Sequence, residues 1–334
     1  MTLGAWPECV TGRILSARIQ EETQGEGAPV ATVPQTFTEL GDEFALVHQA
    51  AAGAGVTGTA LPRARRGWVN VPTGGHVSGV FWGAGSPEIV FLHDRGESAR
   101  AWDATALAAG RASVAIDLPG HGRSDWRRDG RYEPGKLAPA VAEAIRSFAP
   151  RAGLVVGSGL GGLTAIALHR RHPQLLPRLA LINTLPGSVP ARTRIPPGAE
   201  RFASQQEAFA ILTARRSGHS RQALHREILY ELRQDPDGTW VWRHHPGNVP
   251  DPGPGPDDGT LWDELAQFAT PVALIRSDWA GGLTAAGLAR LRQRTPQIQV
   301  ITIPGGGDDI AVIQPVALAA TLVQLLSQET PAAE

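Results

Sequence analysis

The 334-residue sequence contains one cysteine, one methionine and two tyrosines. A single thiol, Cys9, excludes a disulfide framework and any metal site built on several cysteines. Lysine is almost missing too. Lys136 is the only one, so the 31 basic residues are otherwise arginine, a habit of GC-rich coding that is no evidence for phosphate binding. With 32 acidic residues the net charge is -1, which leaves no electrostatic footprint for nucleic acid or an anionic membrane. No apolar run is long enough to span a bilayer, and residues 1–31 lack a basic stretch leading into an apolar one. A soluble cytoplasmic protein with no nucleic-acid or membrane partner is expected.

What is present is a large apolar fraction, 42%, enough to supply the core of one α/β domain carrying an insertion. Short apolar runs at 77–82, 89–93, 113–118, 153–156, 179–182, 272–275 and 300–303 alternate with helical segments. That alternation predicts a mostly parallel, doubly wound sheet with helices on both faces. No such strand pattern recurs over 186–268, where helices are predicted at 205–215 and 221–233, a turn at Asp237-Gly238 and an extended piece at 240–242. The run 246–258 is too rich in Pro, Gly and Asp for either helix or strand. The expected organisation is an N-terminal extension over 1–60, partly helical or disordered, then a core over 61–185, a helical insertion over 186–268 and the rest of the core over 269–334. Within the extension, Thr38 is placed to cap a helix over 39–52, with Leu40, Phe44, Val47 and His48 at helical spacing.

The most informative run is Gly157-Ser158-Gly159-Leu160-Gly161-Gly162, between the strand-like 154–156 and a helix-like 160–170. Strand, sharp turn and helix make the setting of a G-x-nucleophile-x-G elbow. Around it stand Phe91-Leu92-His93-Asp94-Arg95-Gly96, Asp117-Leu118-Pro119-Gly120-His121-Gly122-Arg123-Ser124, and Ile303-Pro304-Gly305-Gly306-Gly307-Asp308 followed by Gln314-Pro315. In this order the four motifs, spread between Arg66 and Leu326, resemble the α/β-hydrolase family, and the resemblance implies an α/β-hydrolase fold with the insertion as a helical cap.

The resemblance carries three departures. Gly159 stands at the nucleophile position, Asp308 at the histidine position, and Asp94 replaces the glycine beside the oxyanion hole. A glycine cannot attack a carbonyl, so acyl-serine chemistry is excluded there. Ser158 cannot take its place by a one-residue shift, because Val156 and Leu160 would then sit where the elbow needs small residues. The third triad member falls on Asn183 or Asp278; of the two only Asp278 could serve, and without a histidine it has nothing to orient.

A rival reading of the glycine run is the G-x-G-x-x-G dinucleotide fingerprint. It lacks the acidic residue expected about twenty positions on, since neither Asp nor Glu occurs from Leu160 through Gly187. No cofactor and no metal are expected; His244-His245 has no carboxylate or cysteine at ligand spacing. His93 and His121 are expected to support their loops by hydrogen bonding.

The backbone of the site should survive the substitutions, because an elbow drives its central residue toward positive φ, a strain glycine does not feel. The N–H groups of Leu160 and Arg95 are then expected to form a residual oxyanion hole. Asp94, Asp278, Asp308 and Arg95 are expected to converge there, as an acid/base site or as a plug closed by an Arg95 to Asp308 ion pair. Ser158, Gly159, Leu160, Trp126, Trp262 and Trp279 are the expected substrate-facing residues, the tryptophans as walls for an apolar ligand. From these departures the expected function is a non-hydrolytic, cofactor-free cyclisation, isomerisation or elimination of a small apolar carbonyl compound in natural-product biosynthesis. The alternative from another class is a silent homologue that binds a ligand or partner; behind it stand an atypical ester hydrolase and a dinucleotide-binding oxidoreductase.

Overall fold

Ile89 and Phe91 of strand β3 (Ile89–Leu92) pack into one hydrophobic cluster while Val90 and Leu92 pack into another. All four are fully buried, so the strand is apolar on both faces because both are covered. The same division runs through β4 (Ser113–Ile116), β5 (Leu154–Ser158), β6 (Leu179–Ile182) and β10 (Val272–Ser277). With β1 (Ala64–Asn70), β2 (His76–Trp82) and β11 (Gln299–Ile303) they form one eight-stranded sheet in the order β1-β2-β4-β3-β5-β6-β10-β11. Strands β1 and β2 run antiparallel to their neighbours, and the other pairings are parallel. This computed structural model describes residues 42–56, 61–188, 200–216, 218–245, 259–279 and 283–328.

Helices α3 (Pro134–Phe148), α4 (Gly159–His169), α7 (Gly259–Ala266) and α8 (Ala285–Arg294) cover one face. The other is covered by α1 (Val47–Gly53), α2 (Asp103–Ala109), α9 (Ile310–Ile313) and α10 (Pro315–Ser327). The doubly wound fold expected from the sequence is therefore present.

Between β6 and α7 lies a separate small body. Helices α5 (Gln205–Arg215) and α6 (Arg221–Glu231) pack on a three-stranded antiparallel sheet of β7 (Arg201–Phe202), β9 (Trp240–Trp242) and β8 (Leu232–Gln234). Its own core contains Phe202, Phe209, Leu224, Ile228 and Trp242. The extended piece expected at 240–242 is β9, whereas the helix expected over 221–233 ends at Glu231: helical periodicity continues through Leu232, but Leu232 to Gln234 pair with β9 instead. At the N-terminal side only α1 is helical, and residues 43–46 form turns; Thr38 and the start of the expected helix lie outside the described residues. Strand β1 was not anticipated, because its half-buried Arg-Arg-Gly-Trp sequence at the sheet edge lacks an apolar run. Among the described residues, no helix is long and apolar enough to cross a membrane.

Candidate active site

The elbow forms where β5 ends and α4 begins. Ser158 is extended (φ -109°, ψ 140°) and Gly159 turns the chain with φ +47°. The small residues around it are required sterically. A Cβ on Gly157 would lie 2.5 Å from the α-carbon of Gly162, and one on Gly161 would lie 2.5 Å from the carbonyl oxygen of Leu92. The glycine run is therefore a device for packing strand, turn and helix closely. It does not open toward a pyrophosphate: the Gly159 N–H donates to the Thr184 hydroxyl, and the next N–H of α4, that of Leu160, already faces a carboxylate.

That carboxylate is Asp94. Its Oδ1 accepts the N–H of Leu160 at 2.8 Å and the N–H of Arg95 at 2.6 Å. These are the two donors expected to form an open oxyanion hole, and the structure corrects that expectation: the hole is filled by a side chain. A Cβ built on Gly159 overlaps the carboxyl group of Asp94. An anion at a helix N-terminus is electrostatically favoured, so the arrangement is self-consistent. Among the described residues, Oδ2 of Asp94 accepts no hydrogen bond.

The loop carrying Asp94 is anchored on every side. The Asp94 N–H donates to Glu97 Oε2 at 2.7 Å. The Leu118 N–H donates to His93 Nε2 at 2.9 Å, so the remaining ring proton sits on Nδ1 and donates to the Asp94 carbonyl at 2.7 Å. His93 is thus a neutral tie between two loops, as the sequence suggested. Asp117, fully buried, accepts from the Ala99 N–H at 2.7 Å, the Ser78 hydroxyl at 2.6 Å and the Arg66 guanidinium at 2.5 Å. Burial opposes its ionisation, yet Arg66 and these hydrogen bonds hold its pKa below the usual carboxylate value. Arg95 is pulled down by burial, against the opposing fields of Asp94 and Glu133. Burial also depresses His121 well below the normal histidine range, so it is neutral.

The other expected groups are placed differently. Asp278 is exposed, and its Oδ1 accepts the Gly305 N–H at 3.0 Å, pinning the turn after β11. Asn183, also at positive φ (47°), accepts the Ser277 N–H at 2.9 Å and ties β6 to β10. Asp308 is half-buried in the following turn. Trp279 is half-buried at the end of β10, and Trp126 lies at the surface with its indole N–H on the Arg243 carbonyl at 3.1 Å. Trp262 was expected to wall the pocket; it is fully buried in the α3–α4 core, which corrects that role. Among the described residues, no group of three or more His, Cys, Asp and Glu is arranged to hold a metal.

Two features of the site had no sequence signal. Ser98 donates to Glu231 and Arg100 to the Tyr230 hydroxyl at 3.0 Å, fastening the insertion to the loop after β3. His219 stands beside Asp309, with Nε2 at 3.5 Å from Oδ2. A lone histidine in a turn between helices carries no pattern that would mark it.

Residues 89–321 match the α/β hydrolase family profile. The esterase Rv0045c of Mycobacterium tuberculosis is 32% identical over 288 residues, covering 83% of this chain and 93% of that protein. Its crystal structure superposes with a TM-score of 0.74 at 33% identity, over 88% of this chain and all of that one. The mouse sn-1-specific diacylglycerol lipase ABHD11 is 32% identical over 66% of this chain and 75% of its own length. These relatives are ester hydrolases by name, and that finding overturns the expected cyclisation, isomerisation or elimination in natural-product biosynthesis. Fold, motif order and relatives agree that the chain belongs to the α/β-hydrolase family.

Proposed function

We propose that this protein hydrolyses a small organic carboxylic ester without an acyl-serine, using Asp94 as the base that activates water. The carrying observation is that the Asp94 carboxylate occupies the space where a nucleophile side chain at residue 159 would begin. Its Oδ1 is locked by the Leu160 and Arg95 N–H groups, which leaves Oδ2 to take a proton from water attacking the ester carbonyl. The half-buried Arg95 guanidinium, in the field of Asp94, is the cation we assign to the developing oxyanion. The insertion, joined to the loop through Ser98–Glu231 and Arg100–Tyr230, is read as the cap over this site.

The test is ester turnover by wild type and Asp94→Asn, with folding checked by thermal melting. Asparagine keeps the shape and still accepts the two N–H bonds but cannot take a proton. The expected loss in kcat/KM is about 100-fold or more, the usual contribution of a general base. An inactive wild type over a panel of short-chain aryl and alkyl esters, or an Asp94→Asn variant with full turnover, overturns this function.

A further inference from the structure

The His219 side chain is only 3% exposed, and that of Asp309 11%. Its Nε2 faces the Asp309 carboxylate, whereas Nδ1 is buried and has no hydrogen-bond partner among the described residues. An imidazole nitrogen buried without a partner is costly, and such a group calls for an explanation, a catalytic role among them. The turn that carries it lies against α9: Gly218 has φ +86°, and a Cβ there would lie 3.3 Å from Ile313. Ser220 then caps α6 by accepting the Ala223 N–H.

Asp309 and α9 stand next to the Asp94 loop. Helix α9 packs on the 3-10 turn Ala99–Trp102 that continues this loop, and Thr105 donates to the Ala311 carbonyl at 3.0 Å. Glu97, whose carboxylate holds the Asp94 N–H, lines the same ≈ 50 Å³ cleft as Val312 of α9. On the opposite side, Ser277 donates to the Gly307 carbonyl at 2.5 Å, and Asn183 links that strand end to β6 beside the elbow. The imidazole therefore comes from the insertion to the N-terminal end of α9, the helix that packs on the turn continuing the Asp94 loop.

We propose that His219 is a catalytic residue of this hydrolysis, the general acid that protonates the departing alkoxide, with Asp309 orienting it. This role rests on the Asp94 reading. Water attacks the carbonyl carbon as one of its protons passes to Asp94 Oδ2. The tetrahedral intermediate then collapses with cleavage of its bond to the alkoxide oxygen, and the proton on His219 Nδ1 moves to that oxygen. The acid and the alcohol leave, and solvent carries the proton on Asp94 back to His219, so no other reactant is needed.

The test compares two butyrate esters, one with p-nitrophenol as the leaving group and one with ethanol. Nitrophenolate departs without a proton and ethoxide does not. His219→Gln should lower kcat/KM for ethyl butyrate by about 100-fold or more and for the nitrophenyl ester by less than about 5-fold. Asp309→Asn, which keeps the imidazole, should show the same selectivity more weakly and serves if His219→Gln fails to fold. Equal losses on both esters, or none on ethyl butyrate, overturn the role of His219, and Asp94 stands if Asp94→Asn still abolishes both. A wild type that turns over neither ester removes both assignments.

Discussion

Asp94 and Gly159 fit together as side chain and socket: the carboxylate lies where a β-carbon on residue 159 would be, hydrogen-bonded through Oδ1 to the backbone N–H groups of Leu160 and Arg95. Gly159→Ser should therefore destabilise the protein instead of restoring a triad. It forces the carboxylate off its two donors and places a side chain at φ +47°, together about 2–4 kcal/mol. In an Asp94→Gly background the same substitution should cost markedly less, because the steric conflict is gone. Urea unfolding of the two single variants and the double variant measures the coupling, and additive losses would contradict the socket geometry.

No covalent acyl-enzyme should accumulate during turnover. Ser158 is the N-cap of α4 with an extended backbone, and residue 159 has no side chain. Incubation with a fluorophosphonate probe followed by intact-mass measurement should show no adduct. Stoichiometric modification of Ser158 would mean that the elbow is set one residue earlier than the structure places it.

Asp117 should dominate acid sensitivity. Its pKa is depressed in the folded state, so its stabilisation is present above the unfolded value of about 3.9 and disappears as pH falls through the lower folded value. At neutral pH, Asp117→Asn leaves the buried Arg66 with only Glu43 as an anionic partner, at a cost of about 3 kcal/mol. Unfolding free energies measured from pH 3 to 7 should show this deficit closing toward the acid end.

Asp103 should act in the opposite direction. Burial raises its pKa to about 6, against the pull of Arg100 at 2.6 Å and of Arg226. The folded state then holds a proton that the unfolded chain has released, so this group lowers stability as pH rises from about 4 to 6, by about 3 kcal/mol at most. Asp103→Asn should remove that slope whatever it does to the absolute stability. An unchanged slope would show that Asp103 ionises normally.

The strands that place the site were legible because each is buried on both faces and so appears as an unbroken apolar run; β6 matches its expected span, 179–182. Strands β1 and β8 were not, the first because an edge strand needs no apolar face, the second because Leu232 completes the helical spacing of α6. Within the site, the glycine at 159 and the aspartate at 94 were both visible in the sequence. Their union was not, since it depends on a rotamer of Asp94 that exists only because the neighbouring residue has no side chain. Trp262 misled because loop-adjacent tryptophans look alike in sequence whether they face a ligand or the core. His219 reaches the loop after β11 through a fold-back of the insertion that no periodicity records.

The overlap at Gly159 also makes positions 94 and 159 a single unit under mutation. Any side chain at 159 meets the Asp94 carboxylate in its present place, so accommodating one requires position 94 to move or to change.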